Sequence, residues 1–453
     1  MQKNNRKGMG TIRTLFAIYL GKLLVILTGL LGGGTNLPGE MALRFCPNIL
    51  KILAADYRVI AVTGTNGKTT TAAMIQQILQ HHGFVAINNS SGANLKAGLI
   101  SCFLRHYKRK KTERFAVLEV DEAYLPRVSA DLNPEIIAVT NIFRDQLDRF
   151  GAVETTRDLI FEAFSNAPDC KLVLNADLPM LGVSLPNKAI YYGFGCNAGE
   201  TQENGTEGKF CPVCGAALSY QLSTYGNLGD YACASCEFHR PVLDYAVETL
   251  IALRAHETEA VINGQGIIIS QPGLYNLYNG LCAYACTAEL GIPASVIAES
   301  LSEQESRFGR QELIQIGDQQ VRIVLVKNPA GCSEAIKTVV LEQDAVTLAV
   351  LLNDRLGDGT DVSWIYDASF ESLGSMNLKR VLVGGTRLYD MAIRLQTAGL
   401  ETDKFVLCES YKDVLEAILS TSETKKVYLL ATYSAMVEFR RFLFKKGYLK
   451  KMW

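Results

Sequence analysis

Histidine is scarce in this chain. Its 453 residues hold five, at positions 81, 82, 106, 239 and 256. A cysteine nucleophile needs a base beside it, and none of the five follows residue 256, so Cys332 in AGCSE reads as a structural thiol. A surplus of either charge is also missing: 45 Lys plus Arg stand against 46 Asp plus Glu, for a formal net charge of −1. Net charge therefore gives nucleic-acid binding no support, because phosphate contacts rely on clustered Lys and Arg. Disorder and collagen are excluded by an ordinary globular composition, 48% hydrophobic and 20% charged. Internal repeats and low-complexity tracts are lacking. Residues 15–31 are apolar, yet they carry Lys22 in their middle and fall short of the roughly 20 residues that span a bilayer. The QKNNRK opening imitates a signal peptide, but only Gly32-Gly33-Gly34 follows, without a small-residue cleavage site. A buried or surface-lying helix is expected there, with a membrane-associated helix as the alternative.

Apolar runs punctuated by glycine are plentiful. Residues 57–62 lead into a Gly-rich turn and then TTTAAMIQQILQHHG with helical spacing, which reads as strand, phosphate loop, helix. Further strands are expected at 115–120, 136–139 and 172–174, with helical segments such as VETTRDLIFEAFSNA among them. Such alternation implies a mostly parallel sheet covered on both faces. From about 199 to 240 the composition shifts to Gly, Asn, Cys and Tyr, as in a small inserted module, after which the αβ pattern is expected to resume. Past GRQE at 309–312, the runs VRIVLV, AVTLAVLLN, KRVLVGG, KFVLCES and KVYLLATYSA alternate with helical segments, one starting at Ser333. They predict a separate doubly wound domain. The expected layout is a lead with an apolar helix (1–55), an ATP-binding central domain (56–305) carrying an insert (205–240), and a C-terminal α/β domain (310–453).

The phosphate loop is Gly64-Thr65-Asn66-Gly67-Lys68-Thr69, followed by Thr70. Glycines let backbone N–H groups close around phosphate oxygens, the helix start adds a favourable dipole, Lys68 neutralises charge, and the Thr69 hydroxyl meets Mg²⁺. Val62 stands where the strict G-x-x-x-x-G-K-[ST] pattern has its first glycine.

Twelve cysteines suit a reducing cytosol, because eight are scattered and four form two CxxC hooks, Cys211/Cys214 and Cys233/Cys236. Four thiolates so spaced close a tetrahedral Zn²⁺ site with no open position, so the metal is expected to be structural. A redox dithiol pair or two disulfides are the alternatives. Lys209, His239 and Arg240 are too few to make the ribbon a nucleic-acid reader.

VTGTNGKTTT resembles the ATP-binding loop of the Mur ligases, which make the peptide part of the bacterial cell wall. Val117-Leu118-Glu119-Val120-Asp121-Glu122-Ala123 is similar to the strand whose Glu holds Mg²⁺ in that family, which falls on Glu119. Thr140-Asn141-Ile142-Phe143-Arg144-Asp145-Gln146-Leu147-Asp148 resembles T-N-x-x-x-D-H-L-D, with Gln146 in place of a metal-binding His. Residues 174–177 resemble N-A-D-D. The stretch 273–279 matches G-x-x-N-x-x-N, whose second Asn, Asn279, is implied to contact adenine, and Arg310 of GRQE is implied to reach the nucleotide. The segment that opens the family's last domain reads Val324-Leu325-Val326-Lys327-Asn328-Pro329, without the ribose-binding Asp, so Lys327 or Asn328 is left as its substitute.

A phosphate loop at residue 64 leaves no room for a UDP-binding domain, and four cysteines interrupt the core. With Asp358-Gly359-Thr360-Asp361-Val362-Ser363-Trp364-Ile365-Tyr366-Asp367, these features resemble the MurT branch, the synthetase subunits of lipid II isoglutaminyl synthase. Tyr366 replaces the usual second Trp. The resemblance implies ATP-dependent amidation of the D-Glu α-carboxylate of the lipid II stem peptide, a glutaminase partner resembling GatD, and a cytoplasmic location at the inner face of the membrane. It also implies that an Asp of this domain completes the partner's Cys-His pair, with Asp361 the first choice and Asp358 the second. A folylpolyglutamate synthase-like ligase stays open as an alternative, although its loop usually reads G-T-N-G-K-G. A zinc-ribbon binding module using ATP as a switch is the other.

Overall fold

The structure is a computed structural model. It describes residues 2–31, 36–89, 93–107, 113–143, 153–198, 208–304, 310–355 and 357–449, with backbone alone for 2–11, 30, 31, 227 and 310.

Val59-Ile60-Ala61-Val62 is a continuous apolar run, the pattern of a strand covered on both faces, and it forms the buried middle of β1 (Arg58–Thr63). It lies inside a nine-stranded sheet with β2 (Val85–Asn88), β3 (Arg114–Glu119), β4 (Ile136–Val139), β5 (Lys171–Asn175) and β6 (Ala189–Phe194). Two further strands, β7 (Leu218–Ser223) and β8 (Gly229–Cys233), pair with each other in the cysteine ribbon; β9 (Tyr245–Leu253), β10 (Thr258–Ile262) and β11 (Gln265–Ile269) complete the large sheet. Its order is β11-β10-β9-β6-β5-β4-β1-β3-β2. The chain adds β2 and β3 on one side of β1 and β4 on the other, so the C-terminal end of β1 is a topological switch point, where open α/β sheets bind ligands.

The expected return of the αβ pattern after residue 240 is corrected. Strands β9 to β11 form an antiparallel meander at the sheet edge. Asn263-Gly264 turns β10 into β11 with φ of 45° and 75°, the left-handed pair of a two-residue hairpin. Residues 258–262 alternate buried and half-buried, a period of two.

The C-terminal sheet has six strands: β12 (Arg310–Ile316), β13 (Gln319–Leu325), β14 (Val346–Leu351), β15 (Leu378–Gly384), β16 (Phe405–Cys408) and β17 (Lys426–Ala431). Their order is β12-β13-β17-β14-β15-β16, parallel except for the β12/β13 hairpin. Helices cover both faces over two apolar clusters, the doubly wound arrangement. Residues 145–148, including Gln146, lie outside the described residues, as does the Arg310 side chain.

The N-terminal lead folds as three helices, Gln2–Leu31, Leu37–Phe45 and Ile49–Ala54. No proline interrupts residues 2–31, so the apolar segment lies within a 30-residue helix. This corrects the expectation that it is too short: its window Ile12–Gly29 is apolar enough, in a helix long enough, to cross a membrane by length and composition.

One buried carboxylate ties the ribbon to the large sheet. Asp177, fully buried, accepts from Arg240 Nη1 at 2.8 Å, Phe194 N at 2.8 Å and Tyr278 Oη at 2.6 Å. Burial still pushes its carboxyl up, against the opposing pull of Arg240. Gly193 lies so near that a Cβ there would sit 2.4 Å from Asp177 Oδ1. Asp177→Ala leaves Arg240, half-buried, with Asp230 as its remaining carboxylate partner, and is expected to cost about 3 kcal/mol, the low end for a broken buried pair, read as a lower midpoint in thermal unfolding of the full chain.

Candidate functional site

The phosphate loop joins β1 to the helix Lys68–His81. Gly64 has φ +122°, and a Cβ there would meet Thr140 Oγ1 at 2.4 Å; Gly67 has φ +85°, and a Cβ there would meet Asn279 Oδ1 at 2.0 Å. Both must therefore be glycine for steric and conformational reasons. The segment after β4 clamps the loop: Asn66 N donates to Asn141 Oδ1 at 2.9 Å, Thr140 Oγ1 to Asn66 O at 2.7 Å, and Thr65 N to Asn141 O at 2.9 Å. The first-turn amides of the helix have no intrahelical acceptor and face the switch point.

Thr69 Oγ1 donates to Glu119 Oε2 at 2.7 Å. Glu119 is buried and held by Asn89, whose Oδ1 accepts from Glu119 N at 2.9 Å and whose Nδ2 donates to Glu119 O at 2.8 Å. A hydroxyl and a carboxylate side by side beside a phosphate loop form an oxygen donor set that fits Mg²⁺. Lys68 folds back on the loop, with Nζ bonded to Gly64 O and paired with Glu122 at 3.1 Å. Burial lowers the ammonium, but Glu122, Glu119 and Asp121 more than offset it, so Lys68 stays charged with a raised pKa. Burial also raises Glu122, with Lys68 and Lys327 pulling the other way.

Between the sheets lies a cleft lined by Asn66, Tyr275, Asn279, Gln311 and Glu334 among others. Asn66 and Asn328 exchange amide hydrogen bonds across it, at 3.0 and 3.3 Å. Asn328 also caps the Pro329–Val340 helix by accepting from Gly331 N. Of the two candidates left open at this segment, Asn328 thus meets the phosphate loop, while Lys327 acts on Glu122 through its charge. Gln311 is 2% exposed with φ +61°, a left-handed conformation rare for a residue with a side chain, at a register shift in the β12/β13 hairpin. Its Nε2 donates to Tyr275 Oη at 2.9 Å and its Oε1 has no partner among the described residues.

The two cysteine hooks converge. The Sγ atoms of Cys211, Cys214, Cys233 and Cys236 lie within 4.8 Å of one another, with Cys211–Cys236 at 3.7 Å and Cys214–Cys233 at 3.5 Å. A tetrahedron of about 2.3 Å Zn–S bonds has edges of about 3.8 Å, so the set fits zinc. All four are free thiols, not disulfides. Val213 N and Ser235 N donate to Cys211 Sγ and Cys233 Sγ, and the latter bond helps bring the Cys233 thiol down to about 7.

Residues 62–231 match the model of the Mur ligase middle domain, and residues 325–436 match that of the MurT ligase C-terminal domain. The chain is 39% identical over 443 residues to the lipid II isoglutaminyl synthase (glutamine-hydrolyzing) subunit MurT of Streptococcus pneumoniae, covering 97% of this chain and 99% of that one. The chain belongs to the MurT family. Solved structures agree on the Mur ligase fold. A pseudomurein peptide ligase type C from Methanothermus fervidus superposes with TM-score 0.65 at 22% identity, covering 86% of this chain and 79% of that one. A folylpolyglutamate synthase from Mycobacterium tuberculosis, complexed with ADP and AMPPCP, does so with TM-score 0.59 at 15% identity, covering 88% and 93%. At those identities the likeness is one of fold alone.

In this MurT-family chain the structure brings Gly64, Thr65, Asn66, Gly67, Lys68, Thr69, Thr70, Glu119 and Asn279 to one end of β1. It separates the two C-terminal aspartates. Asp358 is 4% exposed and bound by Ser434 N at 2.7 Å, Ser434 Oγ and Arg355 N; burial raises its carboxyl. Asp361 is exposed, with one oxygen accepting from Ser363 N at 2.8 Å. Arg394, 3% exposed, anchors the following turn by donating to Ile365 O and Ala368 O. Cys332 is fully buried and its thiol is raised by burial.

Sequence reading passed over Asn89, Glu122, Gln311 and Arg394. Glu122 was visible three residues past Glu119, but nothing local says which carboxylate faces Lys68. Because Glu122 pairs with Lys68 and a phosphate would have to displace it, and a charge-assisted bond is worth about 1.5–3 kcal/mol, Glu122→Gln is expected to tighten ATP binding about tenfold by titration calorimetry. If the four thiolates hold zinc, elemental analysis is expected to find about one zinc per wild-type chain and none in Cys214→Ser, whose unfolding midpoint is expected to fall.

Proposed function

We propose that this chain is the ATP-consuming synthetase subunit of a lipid II isoglutaminyl synthase, working in the cytoplasm at the inner face of the membrane. It amidates the D-Glu α-carboxylate of the lipid II stem peptide to D-isoglutamine, with ammonia from a glutaminase partner resembling GatD. The observation that carries this reading is 39% identity over nearly the whole length of a protein so named, joined to a phosphate loop where Thr69 bonds Glu119 and Lys68 pairs with Glu122.

A carboxylate is a poor electrophile, and phosphorylation supplies its leaving group. The acceptor carboxylate oxygen attacks the γ-phosphorus and the bond to the bridging oxygen breaks, giving ADP and an acyl phosphate. Ammonia then attacks the acyl carbon and inorganic phosphate leaves. Lys68 and the loop amides hold the phosphates in line and stabilise the charge that develops in transfer. Thr69 and Glu119 would hold Mg²⁺, which neutralises phosphate charge when bound. Cys211, Cys214, Cys233 and Cys236 would hold structural zinc. The cleft beside Asn279 and Gln311 suits the adenine, and the family resemblance makes Arg310 a further nucleotide contact. Closure of the C-terminal domain, through contacts of the Asn66–Asn328 kind, shields the acyl phosphate from water.

Exposure supports Asp361 over Asp358 as the residue offered to the glutaminase, because Asp358 is spent on the Tyr433–Lys445 helix start. The test supplies purified chain with ATP, Mg²⁺ and lipid II, using either ammonium or glutamine plus the partner. Lys68→Ala is expected to lower both reactions by at least about a hundredfold. Asp361→Asn should spare the ammonium reaction and abolish the glutamine one; loss of both would move Asp361 to the synthetase site. Oxygen label from the acceptor carboxylate should appear in released phosphate, and its absence would overturn the acyl-phosphate route.

A further inference from the structure

The helix Gln2–Leu31 has two unlike faces. Its inner face is fastened to the protein. Ala17 and Ile18 are buried, and Gly21 packs so close that a Cβ would meet Leu104 Cδ1 at 2.5 Å. Lys22, the charge that interrupts the apolar segment in sequence, turns aside to donate to Tyr107 O at 3.3 Å and sits over that ring. The outer face carries Ile12, Phe16, Tyr19, Leu23, Ile26 and Leu27, each 44–69% exposed. Their spacing of four, three, four, three and one places them on one stripe. Phe45 and Leu37 of the next helix, 41% and 47% exposed, extend the patch, with Phe45 edge-on to Phe16 at 5.1 Å.

Charge names the occupant. Residues 1–39 contain Lys3, Arg6, Lys7, Arg13 and Lys22 and no acidic residue, the first being Glu40. Arg13 is exposed beside the stripe. An apolar stripe with two aromatic residues and a purely basic complement suits the headgroup layer of an anionic bilayer. A protein partner or a second copy needs no such one-sided charge. The fastened inner face also sets the depth: a helix held along one side by Leu104, Tyr107 and Cys46 is not surrounded by lipid.

We propose that this helix lies in the plane of an anionic lipid surface, with residues 12–27 of its outer stripe inserted in the headgroup–acyl boundary and its inner face on the protein. The helix thereby docks the enzyme where a lipid-borne acceptor is presented; that consequence rests on the ligase reading, whereas the lipid-binding face does not.

The experiment is flotation of the purified full chain with vesicles of phosphatidylglycerol and phosphatidylcholine, or of phosphatidylcholine alone, none holding any acceptor. The chain should float with the anionic vesicles, at least about tenfold more weakly with neutral ones or at high salt. The pair Leu23→Asp with Ile26→Asp should cut binding by at least about tenfold while leaving ATP binding and the unfolding midpoint unchanged. Should that pair unfold the chain, Phe16→Ser with Leu23→Ser serves instead. Wild-type chain that floats with neither vesicle, or variants that float as well as wild type, would overturn the proposal. So would a solution dimer that the variants dissolve, which makes a second copy the occupant, or resistance to alkaline extraction from membranes, which makes the helix a spanning one. Because no acceptor is present, these results are independent of whether the chain forms acyl phosphate.

Discussion

A loop that binds phosphate through its backbone must leave its amides bare and yet satisfy every other polar group in the turn. Here Gly64 and Gly67 supply the left-handed turns that bring the backbone close, and neither could carry a Cβ without striking Thr140 or Asn279. The surrounding side chains do the rest. Asn141 binds both the N–H and the carbonyl of Asn66, Thr140 reaches the same carbonyl, and Thr65 exchanges hydrogen bonds with the backbone of Phe143. The turn is held from β4, from the Leu274–Ala288 helix and, through Asn328, from the C-terminal domain. Rigidity of this kind is what allows fixed dipoles to stabilise a migrating charge without reorganising.

The same crowding organises the electrostatics. Glu119, Asp121 and Glu122 surround Lys68, which keeps the ammonium charged although it is buried. A buried Lys–carboxylate pair pays heavily for desolvation and is weak evidence of stability. Its use is better sought in exchange: Lys68 has a partner to leave when phosphate enters. The Asn66–Asn328 amide pair places the domain contact directly on the loop, so occupancy of the cleft and the relative position of the two sheets bear on the same residues.

Two additions decorate this core differently. The ribbon is anchored by Arg240 to Asp177, and Asp177 also takes the Tyr278 hydroxyl, one residue before Asn279. A disturbance of the ribbon would therefore be felt at the Leu274–Ala288 helix that carries Asn279. The N-terminal helix is anchored by small residues and a turned-in lysine. Its outer stripe has no counterpart in the core, where apolar residues of comparable size are covered.

Much of the architecture is legible in local chemistry. A run of buried aliphatics ending in glycine makes β1, CxxC spacing makes each knuckle, and Asn263-Gly264 makes a hairpin whose signal was present though passed over. These features depend on neighbours within a few residues, where φ preferences and side-chain period act. Three matters were settled only by the tertiary structure: the choice of Glu122 as the partner of Lys68, 54 residues away, the meeting of Asn328 with Asn66 across 262 residues, and the burial of Asp358 against the exposure of Asp361. Carboxylates and amides look alike along a chain. What separates them is desolvation and distance to a counter-charge, and both exist only once the sheets have packed.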